Sequence, residues 1–182
     1  IKRFKVGDQV YGLTGLSLGA YAEYKCMRET DSKQGCLALK PANLTYEEAT
    51  VAAYGGLLAL QYMEKGNVAP GQKVLIYGAS STSGTTAVQF AKHLGAEVTG
   101  VCSTANLDLV RSLGADRAID YTKEDLTENG KTYDIVFDAV GKLPFSRCKG
   151  SLAERGVYLT TVPGPETMLQ VLWTAIAGGK KA

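Results

Sequence analysis

Small and hydroxyl-bearing residues fill the segment 78–84, which lies between an apolar run at 74–77 and an amphipathic run that begins at Gly84. The apolar run has the composition of a β-strand, and apolar residues then recur at helical spacing: Val88, Ala91 and Leu94. A strand, a tight turn and a helix in this order place free backbone N–H groups at the end of the strand, where a phosphate can bind. The segment therefore predicts a phosphate-binding turn.

This turn keeps only the outer glycines of a dinucleotide-binding pattern, Gly78 and Gly84. Ser81 and Thr82 occupy the positions of the inner glycines, and a middle glycine usually allows the backbone to approach a pyrophosphate closely. Either the Thr82 side chain crowds a phosphate, or the hydroxyls of Ser80, Ser81 and Thr82 bind its oxygens directly. A third interpretation is a structural turn that is capped by serine and binds no ligand.

Strands and helices alternate around this turn. The apolar run 98–102 follows the first helix after Gly95, which completes a βαβ unit with a turn at its ligand-binding edge. The pattern after it predicts helices at 106–113, 121–129, 144–153 and 166–177, and strands at 117–120, 135–137 and 156–161. Such alternation predicts an α/β fold with a doubly wound parallel sheet.

The first 45 residues have a different pattern. Short alternating runs predict strands at 6–11, 19–26 and 36–41, as in part of a small β-barrel. Asn43 or Thr45 then caps a helix, and Thr45 and Glu48 form a capping-box pattern. The apolar stretch 49–63 predicts a helix or helix pair that is broken near the two glycines at 55–56.

The composition is that of an ordinary globular protein. The 182 residues carry a formal net charge of +2, which gives no reason to expect nucleic acid or a membrane surface as a partner. The four cysteines are dispersed and form no CxxC pair, so we expect neither zinc nor disulfides and a cytoplasmic location. The first residues, Ile-Lys-Arg-Phe, are typical of the interior of a longer protein. The last residues are typical of a segment that comes just before another strand.

An ordered set of motifs resembles the medium-chain dehydrogenase/reductase superfamily, and most closely its zinc-free, quinone-oxidoreductase-like branch. The motifs are Val6-Gly-Asp-Gln-Val, Gly19-Ala-Tyr-Ala-Glu-Tyr, Pro70-Gly-Gln-Lys-Val-Leu-Ile, Ala87-Val-Gln-Phe-Ala-Lys, Leu113-Gly-Ala-Asp, Ile119-Asp-Tyr and Tyr133-Asp-Ile-Val-Phe-Asp-Ala-Val-Gly. The resemblance implies a partial GroES-like catalytic domain at 1–45, connecting helices at 46–70 and a dinucleotide-binding Rossmann domain at 71–182, truncated before its sixth strand.

The resemblance also implies where a nicotinamide cofactor binds. It places the pyrophosphate on the turn, against Gly78, Ala79, Ser80, Ser81, Thr82, Ser83, Gly84 and Thr85. It places the loop after the 135–137 strand along the cofactor near the nicotinamide, with Ala139, Val140 and Gly141, and gives Val162 a similar part after the next strand. In the family a Tyr like Tyr121 contacts the 2′-phosphate of NADPH.

The segment that should hold the adenosine ribose has no acid. A ribose-binding Asp or Glu is expected about 20 residues past the last glycine, where this chain has Ser103, Thr104 and Asn106. These neutral donors tolerate the extra phosphate of NADP, so we expect NADPH to bind in preference to NADH.

Two classes of function fit these observations. The first is an NADPH-dependent oxidoreductase that transfers a hydride to a quinone, enone or other small carbonyl substrate without zinc. The second is a nucleotide-binding module of the same fold that has lost turnover. Ser81, Thr82 and Leu58 favour it because they depart from the family pattern, in which a Thr that binds the nicotinamide usually stands at the position of Leu58. No catalytic residue is identified. The resemblance implies a homodimer, and we expect residues 1–182 alone to bind cofactor without turnover.

Overall fold

A computed structural model describes residues 3–29, 35–128 and 130–164. The chain divides between Leu57 and Leu58 into two compact units, here called the N-terminal unit and the C-terminal unit. The predicted helix at 166–177 lies outside the described residues.

The N-terminal unit contains a two-stranded antiparallel sheet, in which β1 (Val10–Leu13) pairs with β2 (Cys36–Leu39). The predicted capping box is confirmed, because the Glu48 N–H donates to the Thr45 hydroxyl at 3.2 Å and the Glu48 carboxylate accepts the Thr45 N–H at 2.8 Å. Helix α1 (Tyr46–Val51) begins at this cap.

Two expectations for these residues are wrong. The segment 19–26 forms no strand, and its side chains Tyr21 and Tyr24 are both exposed, so its alternating pattern packs against no sheet among the described residues. The helix is not broken at the two glycines. Instead, Ala52–Gly56 forms one π-helical turn and the helix continues as α2 (Leu57–Lys65), since a wider turn absorbs the irregularity that the glycines introduce.

The described residues of the C-terminal unit form a five-stranded parallel sheet with the strand order β5-β4-β3-β6-β7. Its strands are β3 (Lys73–Tyr77), β4 (Glu97–Cys102), β5 (Arg117–Asp120), β6 (Tyr133–Asp138) and β7 (Leu152–Thr160). The α-helices that follow β3 in the described residues are α3 (Thr82–His93), α4 (Leu107–Ser112) and α5 (Phe145–Cys148). After β3 the chain adds β4 and β5 on one side of this strand, and it then adds β6 and β7 on the other side. The reversal of strand order at β3 is a topological switch point, the place where open α/β sheets bind ligands.

Each face of this sheet has its own apolar core. Val74, Ile76 and Phe137 pack with residues of α2, α3 and α4 on one face, whereas Leu75 and Val136 pack with α5 on the other. Alternate residues of β3 and β6 are therefore buried on opposite sides, as in a strand that is covered on both faces. The predicted doubly wound parallel α/β fold is confirmed.

Two predicted helices of this unit differ from the structure, one throughout its described residues and one in its length. No helix forms between residues 121 and 128, because the side chains of Asp120 and Asp125 bind the N–H groups of Thr122 and Thr127 at 3.0 and 2.9 Å and hold the chain in turns. The predicted helix at 144–153 is shorter than expected, since α5 and one 3₁₀ turn end at residue 151 and β7 begins at Leu152 rather than at residue 156.

Candidate functional site

The turn after β3 is shaped by its two outer glycines and a serine cap. The Oγ of Ser81, the residue before α3, accepts the N–H of Gly84 at 3.1 Å. Gly78 has a φ of +77°, a conformation that strains other residues. A Cβ on Gly84 would lie 2.1 Å from the carbonyl oxygen of Gly78, so α3 can approach the end of β3 this closely only with glycine at that position.

The backbone N–H groups of the turn fall into two sets. Those of Gly78 and Ala79 both donate to the carbonyl of Val101 on β4, at 3.0 and 2.9 Å. The first N–H groups of a helix have no acceptor within it. In the described part of the chain, three N–H groups of the turn are therefore left for a ligand, namely those of Ser80, Thr82 and Ser83.

A cavity of about 560 Å³ opens beside this turn, at the carboxyl edge of the sheet. Its size is in the range of small-molecule and cofactor sites. Six of its lining residues belong to the site predicted from sequence: Gly78, Ser80, Ser81, Ser103, Tyr121 and Val140. Three further residues line it: Tyr77, Cys102 and Lys142.

The segment after β4 presents one hydroxyl to the cavity. The Oγ of Ser103 accepts a hydrogen bond from the Asn106 side chain at 3.2 Å, and no described residue accepts the Ser103 hydroxyl proton. The Thr104 hydroxyl donates its proton to Asp120, so its oxygen can only accept a hydrogen bond from a ligand. Of the three residues predicted as neutral donors, Ser103 is thus the one with a donor hydroxyl that lines the cavity.

An acid does lie behind this segment, but on the next strand. Asp120 ends β5, is 7% exposed and accepts hydrogen bonds from the Thr104 hydroxyl and from the N–H and hydroxyl of Thr122. These hydrogen bonds hold the pKa of Asp120 at about 2, and the bond from the Thr104 hydroxyl contributes most. The Lys123 ammonium lies 3.6 Å from the same carboxylate. A search along the chain past Gly84 could not find this acid, because only strand pairing brings it beside Thr104.

The loop after β6 is held by a buried carboxylate. Asp138 is 1% exposed, and its two oxygens accept the N–H groups of Val140 and Leu143 at 3.1 and 2.8 Å. The Thr161 N–H, after β7, donates to the Asp138 carbonyl at 3.1 Å. These bonds fix the shape of the loop that places Val140 and Lys142 at the cavity.

Valine side chains lie close to glycine backbone and so join the loops after β3, β6 and β7. A Cβ on Gly78 would lie 2.6 Å from Cγ1 of Val140, and a Cβ on Gly141 would lie 2.6 Å from the Cβ of Val162. Gly141 also has a φ of +67°. The residues that the resemblance assigned to one cofactor are therefore brought together at one edge of the sheet.

Ten predicted site residues do not line the cavity, although they lie in the loops that form it: Ala79, Thr82, Ser83, Gly84, Thr85, Thr104, Asn106, Ala139, Gly141 and Val162. Ala79 and Ala139 are buried in the apolar core on the α3 side of the sheet. The Thr85 hydroxyl donates to the carbonyl of Thr82 at 3.1 Å and so supports the first turn of α3.

The sequence missed three lining residues for two reasons. Tyr77 and Cys102 are the last residues of β3 and β4, and sequence reasoning placed the site only in the turns after these strands. The Tyr77 ring lies 6.4 Å from the Tyr121 ring, and burial raises the pKa of the Cys102 thiol. Lys142 directly follows the predicted Gly141, and its charge is a signal that could have identified it.

The described residues contain neither a cluster of metal-ligating side chains nor a helix suited to a membrane. In residues 3–29, 35–128 and 130–164, no three His, Cys, Asp or Glu side chains lie together as metal ligands would. In the same residues, no helix has both the length and the apolar character needed to cross a membrane.

The sequence and the fold are similar to those of known proteins. Residues 84–171 match the family described as zinc-binding dehydrogenases. An NADPH-dependent alkenal/one oxidoreductase, chloroplastic, from Arabidopsis thaliana is 38% identical over 154 residues, which cover 78% of this chain and 38% of that protein. The quinone-oxidoreductase QR1, chloroplastic, from Triphysaria versicolor is 32% identical over 192 positions, which cover 100% of this chain and 57% of that protein.

A solved structure covers the whole chain. The quinone oxidoreductase from Coxiella burnetii has a TM-score of 0.79 and 25% sequence identity, over 100% of this chain and 56% of that protein. The chain thus spans about half the length of the relatives that it matches in full. The predicted resemblance is confirmed.

Proposed function

Because this chain belongs to the medium-chain dehydrogenase/reductase superfamily, we propose that the protein is an NADPH-dependent oxidoreductase that reduces a quinone, enone or other small carbonyl compound without zinc. The observation that carries the proposal is the cavity at the switch point, which is lined by Ser80, whose N–H group is free, and by Ser103, whose hydroxyl can donate. The names of the relatives from Arabidopsis thaliana and Triphysaria versicolor support the reaction class.

The cavity and the turn beside it offer groups that fit a dinucleotide in order along the sheet edge. The N–H groups of Ser80, Thr82 and Ser83 bind the diphosphate at the start of α3, where the helix dipole favours negative charge. Ser103 donates to the adenosine ribose or its 2′-phosphate, and Tyr121 lies beside the same segment. The bound nicotinamide supplies the hydride.

The neutral side chain of Ser103 supports NADPH over NADH. An acid at this place would bind the ribose hydroxyls and repel a 2′-phosphate. The charge of Asp120 lies behind Thr104, and its oxygens already accept from the hydroxyls of Thr104 and Thr122. We expect the preference to be modest, because no cation accompanies Ser103 in its own segment.

The test is NADPH oxidation by the full-length protein with a panel of quinones and enones, followed by absorbance loss. Turnover with at least one of these compounds supports the proposal. Tight NADPH binding without turnover across the panel would favour the alternative, a nucleotide-binding module. Zinc-dependent turnover would contradict the metal-free part of the proposal.

Two further parts of the proposal are a homodimer and a cytoplasmic location. Light scattering that reports a monomer at high concentration would contradict the dimer. The location is tested by fractionation of the source cells, and recovery in plastids would contradict it, since two relatives are named as chloroplastic.

A further inference from the structure

One charged side chain lines the cavity. Among its nine described lining residues, Lys142 is the only one with a formal charge at neutral pH. Its side chain is exposed, and it makes no hydrogen bond or ion pair with any described residue. Its ammonium is therefore available to a ligand in the cavity.

Two carboxylates flank the same edge of the sheet. Within the described residues, Asp138 is bound by the backbone N–H groups of Val140 and Leu143 and has no cationic partner. Among the described residues, the cationic partner of Asp120 is the exposed Lys123, whose ammonium lies 3.6 Å from the carboxylate. Neither carboxylate lines the cavity, but a diphosphate with two negative charges would bind at the same edge of the sheet, where a cation at the cavity wall offsets the repulsion.

The turn after β3 alone offers few contacts to that diphosphate. The hydroxyl oxygen of Ser81 is the cap of α3, and the N–H groups of Gly78 and Ala79 are used by Val101. The remaining N–H groups carry partial charges only.

The position of Lys142 decides which phosphate it reaches. Val140, two residues earlier, lies against the Gly78 turn, where its Cγ1 is 2.6 Å from the place of a Gly78 Cβ. Ser103 follows β4, two strands away from β6 in the sheet, which is a distance of about 10 Å. Resting on the proposed function, we infer that Lys142 is the charge partner of the cofactor diphosphate and not of the 2′-phosphate.

The experiment compares three probes, NADPH, NADH and ADP-ribose, in the wild-type protein and in Lys142→Met, which keeps the apolar stem of the side chain. All three contain the diphosphate, only NADPH has the 2′-phosphate, and ADP-ribose lacks the nicotinamide. We expect the affinity for every probe to fall by the same factor of about ten, the effect of one hydrogen bond to a charged group. Lys142→Arg should retain most of the affinity.

Lys73→Met is the matched control. Lys73 begins β3 at the opposite edge of the sheet and is exposed, so its loss changes the net charge equally and should leave all three affinities unchanged. A loss of affinity confined to NADPH would assign Lys142 to the 2′-phosphate and overturn the inference. Unchanged affinity for all three probes would also overturn it. If the wild-type protein binds no probe, the proposed function itself fails.

Discussion

Replacing Gly84 with alanine tests how closely α3 must approach the end of β3. The new Cβ would lie 2.1 Å from the Gly78 carbonyl oxygen and 2.8 Å from the Cα of Ala79, whereas real Cβ atoms do not approach other atoms within 3.0 Å. Both obstructing atoms belong to the backbone, so no side chain can rotate away. The first turn of α3 must therefore move by roughly 1 Å.

This movement has two measurable consequences. Overpacking costs about 1–3 kcal/mol, and alanine regains less than about 1 kcal/mol through its helix propensity, so we expect the free energy of unfolding to fall by about 2 kcal/mol. For a chain of this size, this lowers the Tm by about 4–8 °C. NADPH affinity should fall as well, because the N–H groups of Thr82 and Ser83 move with the helix.

Gly150→Ala is the control for this experiment. A Cβ at Gly150 would meet no atom within 4 Å, and its φ is an ordinary one, so we expect its Tm and NADPH affinity to match those of the wild type. Thermal unfolding followed by circular dichroism and a fluorescence titration with NADPH give both values. A Gly84→Ala variant with wild-type Tm and affinity would refute the close approach and the placement of the phosphate-binding turn.

Three further predictions follow from single features. Ser103→Asp should lower the affinity for NADPH relative to NADH by about tenfold or more through repulsion of the 2′-phosphate, whereas Ser103→Asn in the same titrations should change the ratio little. The hydrogen bonds from Thr127 and the Arg147 side chain hold the pKa of Asp125 at about 2, which is below the value of about 3.9 in an unfolded chain. The contribution of Asp125 to stability is therefore present above about pH 4 and is lost as the pH falls toward 2. Urea unfolding should show that Asp125→Asn is about 1 kcal/mol less stable than the wild type at pH 6 but loses less stability on acidification. An equal dependence of the free energy of unfolding on pH in both proteins would contradict this. Elemental analysis of the purified protein should find no stoichiometric zinc, and one zinc per chain would contradict the metal-free reaction.

The parallel sheet could be predicted from sequence because its strands and turns carry strong local signals. Val74 and Ile76 lie in a continuous apolar run, and glycines mark the ends of the neighbouring helices. The segment after β5 could not be predicted in the same way. Its charged residues suit an exposed helix, but Asp120 and Asp125 bind the hydroxyl and N–H groups of nearby threonines, and these local bonds replace the helical ones.

The candidate site shows the same division between local and long-range information. The turn at 78–84 and the Ser103 segment were found from composition and spacing, since each is a short continuous stretch. The contacts of Gly78 with Val140 and of Thr104 with Asp120 join residues from different loops, and they depend on the strand order. The spacing rule for a ribose-binding acid considers one segment only, so it could not find Asp120.

The most direct test of a dinucleotide site at this edge of the sheet is a crystal structure of the protein soaked with NADPH. We expect density for the diphosphate within hydrogen-bond distance of the Ser80 and Thr82 N–H groups, and for the 2′-phosphate beside the Ser103 hydroxyl. An empty cavity at saturating NADPH, or the nucleotide bound elsewhere on the protein, would contradict the account.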